Sequence, residues 1–202
     1  MAVQVEFHYD FGSPNCYLAH KVIPEIEKQT GEKFTYFPIL LGGVFKMTNN
    51  KSPMQQFEGI PLKVDYMRLE TKRFIEEHSL TKFRMNPNFP VNTVQIMRGA
   101  LVAEDEGYAD RYVDAVLTAM WEDGEKMDDP EIIANTLDRA GLNGKHILEC
   151  AQEQPIKDAL TRNTNASVER GCFGAPTFFV GSEMFFGKDR LEAVEREIAK
   201  QR

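Results

Sequence analysis

Cysteine is scarce in this chain, with Cys16, Cys150 and Cys172 the only three among 202 residues. An odd number spread over so long a sequence excludes a structural disulfide framework. Long apolar runs are missing too, and none approaches the ~18 residues that a bilayer span requires. The opening Met1-Ala2-Val3-Gln4-Val5-Glu6 has no basic stretch leading into an apolar signal core, so the expected location is cytoplasmic. Basic residues are outnumbered, 24 Lys and Arg against 31 Asp and Glu, and no basic cluster is long enough to track a phosphate backbone. Nucleic acid and membrane are therefore not expected partners. His8, His20, His78 and His146 show no metal-ligand spacing and no cysteine neighbours, so no metal is expected. Gly12-Ser13-Pro14 is not a Gly-x-Ser-x-Gly elbow, which argues against an acyl-transfer serine.

What is present is ordinary globular composition, 42% hydrophobic and 27% charged, enough for one large domain or two small ones. Val3, Val5, Phe7 and Tyr9 alternate at period two and predict a strand over residues 3–9, with His8 on the other face as a surface or sheet residue. Gly12-Ser13-Pro14 then starts a helix: Ser13 suits the N-cap and Pro14 the first helical position, where its missing N–H costs nothing. That helix carries Tyr17, Leu18, Val22 and Ile26 inward, bends at Pro24 and stops near Gly31. A second strand over residues 34–41 completes a βαβ opening with two parallel strands.

More than a hundred residues of helical pattern follow. Val94, Met97 and Leu101 trace one stripe, Tyr112, Val113, Val116, Leu117, Met120 and Trp121 a second, and Ile132, Ile133, Thr136, Leu137 and Ala140 a third. The acidic stretch from Trp121 to Pro130 reads as a solvated loop between helices. Strand character returns only in Thr177-Phe178-Phe179-Val180 and Met184-Phe185-Phe186, joined through a Gly181-Ser182 turn, before a last helix with Leu191, Val194 and Ile198 on one face. The end pieces are each too small to bury a core alone. The expectation is one discontinuous domain, residues 1–45 with 172–202, and an inserted helical domain, residues 46–171.

Two segments carry chemistry. Asp10-Phe11-Gly12-Ser13-Pro14-Asn15-Cys16 sets a hydroxyl and a thiol across the first turn of a helix, where unpaired N–H groups favour an anion such as a thiolate. Taken alone, Ser13 reads as a cap. Gly174-Ala175-Pro176-Thr177 precedes a strand, and its proline is either a trans edge residue or a cis residue that exposes the backbone of Ala175 to a partner chain. Met47, Met54, Met67, Met97, Phe45 and Phe57 fit either core or the lining of an apolar substrate pocket.

Together these segments resemble the thioredoxin superfamily, with Ser13 in place of the first cysteine of a Cys-Pro-x-Cys motif. The helical insertion resembles the DsbA-like branch. Ser-Pro-x-x resembles its kappa-class glutathione transferases and 2-hydroxychromene-2-carboxylate isomerases, as do Asn92-Thr93, Ala119-Met120-Trp121-Glu122-Asp123-Gly124, Phe173-Gly174-Ala175-Pro176-Thr177 and Phe186-Gly187-Lys188-Asp189-Arg190-Leu191. The fold implied is α/β and thioredoxin-like (βαβ…ββα) with a large all-helical insertion. The cofactor implied is glutathione. Ser13 would activate its thiol, Ala175 and Pro176 would pair with its backbone, and Lys188 and Asp189 would take its γ-glutamyl end. Asn50 and Lys63 match an asparagine and a lysine at the start of the insertion.

The resemblance further implies a homodimer, and an aromatic, unsaturated 2-oxo acid as substrate. The chemistry implied is thiolate addition, bond rotation and elimination. A kappa-type transferase and a thiol-disulfide oxidoreductase or silent glutathione-binding module remain alternatives. With one cysteine in the motif, Ser13 and Cys16 form no internal disulfide, and Cys16 is expected to pack inside. Cys172 reads as an inert buried thiol.

Overall fold

The computed structural model describes residues 3–202. Strand β1 (Val5–Tyr9) leads into α1 (Pro14–Thr30) and β2 (Phe34–Pro38). Then come eight helices: α2 (Leu41–Thr48), α3 (Pro53–Gln56), α4 (Pro61–Glu77), α5 (Val94–Asp105), α6 (Ala109–Thr118), α7 (Pro130–Arg139), α8 (Gly144–Cys150) and α9 (Gln154–Glu169). The hairpin β3 (Thr177–Val180) and β4 (Glu183–Phe186) and helix α10 (Leu191–Gln201) complete the described chain. The sheet order is β2-β1-β3-β4, with β1 and β2 parallel and the remaining pairs antiparallel. This is the thioredoxin-like α/β architecture of the DsbA type. No helix among the described residues is long and apolar enough to cross a membrane.

The βαβ opening forms as its sequence pattern predicts. Helix α1 begins at Pro14 and continues through Pro24. It ends where Gly31, at φ 74°, turns the chain left-handed and returns its N–H to the Glu27 carbonyl at 2.8 Å, a conformation that glycine adopts without a Cβ penalty. The second strand is shorter than its apolar run, ending at Pro38 rather than Leu41. The side chain of Asp10 captures the Leu41 N–H at 2.7 Å, and Leu41 starts α2 instead.

β1 is central, and every residue in it is buried. Phe7 packs between Tyr9, Tyr36 and Phe178 at centroid distances of 5.0–5.5 Å, and Tyr36 bonds His20 of α1 at 2.7 Å. The opposite face meets α9. His8 is fully buried there, not on the surface, with Nδ1 2.8 Å from Ser167 Oγ and Nε2 3.2 Å from Glu6 Oε2. Period two sorts residues to two faces; helices on both sides then bury both. Arg170 completes the network by pairing with Glu6, its guanidinium 3.8 Å above the Phe179 ring.

The acidic stretch starts inside the fold. α6 runs on into a π-helical turn, Ala119–Asp123, that buries Trp121 completely, while Glu122 accepts the Tyr17 hydroxyl at 3.0 Å. Charge count alone missed this, since the tryptophan sets the burial and the glutamate has a partner.

Burial pushes the His8 imidazole from 6.5 down to about 4, against the upward pull of Glu6. Burial raises Glu6, but the hydrogen bonds from Arg170 and His8 outweigh it and hold the carboxyl below its ordinary value. Between pH 6.5 and about 4 the unfolded chain binds the His8 proton and the fold does not. Stability is therefore complete above that window and falls through it with decreasing pH, by up to ~3 kcal/mol from His8. Protonation of Glu6 adds a loss of the same sign at still lower pH. Urea unfolding from about pH 7 to about pH 4 should show this slope in wild type and a flatter one in His8→Gln; an equal slope in the variant would remove His8 as its source.

Candidate active site

The turn between β1 and α1 is fixed from several sides. Asp10 is 1% exposed, and its two carboxylate oxygens accept the N–H groups of Gly12 at 2.8 Å and Leu41 at 2.7 Å. Burial pushes its carboxyl pKa up, against these bonds and one with Thr93. The Phe11 N–H meets Met97 Sδ at 3.4 Å, its carbonyl accepts the indole N–H of Trp121 at 2.9 Å, and the Ser13 N–H returns to the Asp10 carbonyl at 3.1 Å. Residues of α5 and of the π-helical turn thus hold the segment that presents Ser13. Sequence reasoning gave Asp10, Met97 and Trp121 no such role. The one available signal was Asp10-Phe11-Gly12, the spacing at which an aspartate bonds the backbone two residues on.

Ser13 occupies the N-cap position of α1 with extended backbone, φ −98° and ψ 116°, but its side chain does not cap the helix. Its hydroxyl donates instead to the Ala175 carbonyl at 3.1 Å. The Ala175-Pro176 peptide bond is cis, which decides between the two readings of that proline. Around it, the Pro176 carbonyl accepts the Gly187 N–H at 2.9 Å, and the Gly174 carbonyl accepts the Thr177 hydroxyl at 2.8 Å and the Cys172 thiol at 3.1 Å. A Cβ on Gly174 would lie 2.8 Å from the Phe186 ring, which itself packs on Phe173 at 4.5 Å between centroids. Only glycine allows that approach. Ala175 is buried, 9% exposed, and its N–H makes no hydrogen bond among the described residues.

Cys16 lies in the first turn of α1, where a helix terminus favours a thiolate. Burial wins: the residue has no exposed surface, and its thiol is pushed up to about 12, against lowering contacts from the Asp10 backbone and the Ser13 hydroxyl. It is a protonated core thiol at neutral pH. Cys172 is also buried, 1% exposed.

The remaining expected ligand residues divide. Asn50 donates to the Phe173 carbonyl at 2.7 Å, which ties it to the cis-proline loop. Lys188 and Asp189 directly follow Gly187; Lys188 is 4% exposed, pairs with Asp189 and sits 4.5 Å over the Phe74 ring. Lys63 is exposed on α4, 5.1 Å over the Phe57 ring, with no bond to the loop. Of the apolar set, Met97 is core, Met47 and Met54 are 45% and 50% exposed, and Met67, Phe45 and Phe57 are half-buried.

Two further features lie away from Ser13. A cleft of about 590 Å³ opens between α1, β2, α5 and α6, lined by His20, Tyr36, Glu104 and Asp114 among others. It contains none of the residues assembled around the cis-proline, and the site is assigned by its chemistry and not by cavity size. The second corrects the reading of the histidines: His146 does have a cysteine neighbour, since Cys150 Sγ lies 3.7 Å from its ring nitrogens.

Comparison with known proteins gives the family and the fold. Residues 4–199 match the family model of the DSBA-like thioredoxin domain. A 2-hydroxychromene-2-carboxylate isomerase of Pseudomonas sp. (strain C18) is 28% identical over 200 residues, covering 98% of this chain and 91% of the relative. Glutathione S-transferase kappa 1 of Caenorhabditis elegans is 27% identical, covering 95% and 88%. Among solved structures, a 2-hydroxychromene-2-carboxylate isomerase superposes with a TM-score of 0.81 at 26% identity, over 98% of this chain and 95% of that one. A probable DsbA oxidoreductase from Streptomyces coelicolor shares the fold, with a TM-score of 0.77 at 13% identity over 98% and 89%. With the family model matching nearly the whole chain, the chain belongs to the DSBA-like thioredoxin domain family.

Proposed function

We propose that this protein is a glutathione-dependent isomerase acting on aromatic 2-oxo acids of the 2-hydroxychromene-2-carboxylate type. The observation that carries the reading is Ser13, a hydroxyl where the dithiol members of this fold begin their motif, set 3.1 Å from the carbonyl of the residue before the cis-proline. The isomerase names of the relatives at 26–28% identity support it. Three free thiols fit a reducing compartment, and we place the protein in the cytoplasm, as a homodimer by its likeness to that family.

The residues present fit glutathione. The Ala175 N–H beside Pro176, which has no hydrogen-bond partner among the described residues, would give the peptide a backbone pairing, and Asn50 stands at the same loop. Lys188 and Asp189 supply an ammonium and a carboxylate for the charged γ-glutamyl end, with Lys63 as a further cation. When bound, glutathione supplies a thiol that adds reversibly to an unsaturated carbon, so that the bond can turn before the thiol leaves. Ser13 acts as hydrogen-bond donor to sulfur and not as nucleophile. Turning its O–H from the Ala175 carbonyl to the sulfur, at the positive end of α1, favours the ionised thiol. The chain holds and orients, and the cofactor carries the reactive sulfur.

A second reading, kappa-type conjugation, is favoured by the Caenorhabditis elegans relative and uses the same binding and activation. Dithiol exchange is disfavoured, because the one cysteine of the motif is buried with its thiol pushed up to about 12.

Calorimetric titration with reduced glutathione, with thiolate absorbance followed against pH, should show binding and a thiol pKa below the free value of ~8.5. Ser13→Ala should return that pKa toward the free value and lower turnover on the order of 10²-fold, as for loss of a donor to a developing anion. Absence of binding, or a thiol pKa in Ser13→Ala equal to that in wild type, would end the proposal.

Product analysis separates the two reactions. Turnover at constant glutathione is expected of the isomerase, and consumption in proportion to product would establish the transferase instead. Cys16→Ala should retain the activity.

A further inference from the structure

We propose that Glu106, His146 and Cys150 form a zinc-binding site that clamps the C-terminal end of α5 to α8, remote from Ser13 in sequence and in role. Cys150 follows His146 by one helical turn, so thiol and imidazole project from one face of α8. The Asn143 side chain caps the first turn by accepting the His146 N–H at 3.1 Å. Glu106, which directly follows α5, reaches across so that Oε1 lies 2.7 Å from His146 Nε2, while Cys150 Sγ lies 3.7 Å from both ring nitrogens. One ligand atom from each residue falls within 4.8 Å of the others.

These separations approach those of a tetrahedral ion. With Zn–S near 2.3 Å and Zn–N or Zn–O near 2.0–2.1 Å, neighbouring ligand atoms stand about 3.3–3.6 Å apart. The sulfur, 3.7 Å from both ring nitrogens, must turn from beside the ring into line with Nε2, a rotation about the Cys150 side chain. The carboxylate must retreat from the imidazole by about 0.6 Å, a small adjustment for an exposed glutamate changing rotamer. Glu106 Oε2 accepts the Tyr108 hydroxyl at 2.8 Å, an outer contact of the kind that orients a ligating carboxylate. Glu149 and Glu153 add negative charge beside the thiol, partly offset at Glu149 by Lys145 at 3.9 Å.

The donor set selects the metal. A thiolate with an imidazole suits zinc and disfavours magnesium and calcium, which take oxygen ligands. Three protein ligands leave a fourth position for water, and the binding tightens the α5–α8 contact without entering the chemistry proposed at Ser13.

Cobalt(II) is the probe for the test, on the reduced full-length protein. One equivalent should give a thiolate-to-cobalt charge-transfer band and the visible bands of a tetrahedral site, displaced by zinc but not by a large excess of magnesium. Zinc should raise the thermal midpoint, and a chelator should reverse the rise. Cys150→Ser, His146→Ala and Glu106→Gln should each weaken binding at least about tenfold, with helical circular dichroism retained. Ser13→Ala should bind cobalt as wild type does. Absence of the charge-transfer band, or its persistence in Cys150→Ser, would overturn the proposal, as would equal displacement by magnesium.

Discussion

The carboxylate of Asp10 is the constraint on which the site depends. It is sealed from water and accepts one N–H from the turn that begins α1 and one from the first residue of α2. Either amide, left buried without an acceptor, would cost roughly 1–3 kcal/mol. The side chain therefore does more than end a strand. It sets where β2 must stop, where α2 must start, and how Gly12 and Ser13 leave the sheet. Phe11 is then held from the opposite side by Met97 and Trp121, so Ser13 faces the cis-proline loop on a turn supported by both the sheet and the helices between β2 and β3. Positioning of this kind is what a hydrogen-bond donor needs, since its effect on a nearby charge depends on direction and distance.

The βαβ opening, the closing hairpin, the helical stripes and the pair of segments around Ser13 and Pro176 were all legible, because each rests on local pattern: alternation, capping residues, turn formers, heptad-like spacing. What stayed hidden depends on partners far along the chain. His8 looked like a surface position because alternation in β1 assigns it to the face away from the aromatic core, and nothing local says that α9 covers that face with Ser167. Trp121 opened an acidic run, yet the carbonyl it reaches belongs to Phe11, 110 residues earlier. The Leu41 capture by Asp10 is equally non-local. His146 and Cys150 differ: their spacing of four is a local helical signal, and it goes unseen when histidines are compared only with one another and with close cysteine pairs.

The three cysteines divide by environment in a way their number does not show. Cys16 has the helix terminus that lowers a thiol pKa and the burial that raises it, and burial prevails by driving the thiol to about 12. Cys172 donates its proton to the Gly174 carbonyl and helps shape the cis-proline loop. Only Cys150 reaches the surface region, and there it meets an imidazole and a carboxylate instead of a second thiol. A dithiol mechanism has no pair to work with. The position that would have held the outer thiol carries a hydroxyl, which keeps the donor geometry and surrenders the nucleophile.

Helix α4 limits how the two proposed lysines can share one ligand. It buries only Phe74, near its C-terminal end, where Lys188 lies over the ring, and Lys63 stands near its first turn. Eleven residues separate Lys63 from Phe74, about 16 Å along the axis at 1.5 Å per residue. An extended tripeptide covers about 10 Å. The difference must be made up by the lysine side chains or by tilting α4 about its Phe74 anchor. The first half of the helix opposes such a tilt less than a core helix would, because Leu62, Tyr66 and Leu69 are 81%, 59% and 43% exposed and none of its residues is fully buried. They lie at i, i+4 and i+7, a stripe whose coverage would contribute ~1.5–3 kcal/mol per fully buried aliphatic residue. The contact proposed for Lys63 therefore asks the first half of α4 to move, whereas the one proposed for Lys188, already packed on Phe74, does not.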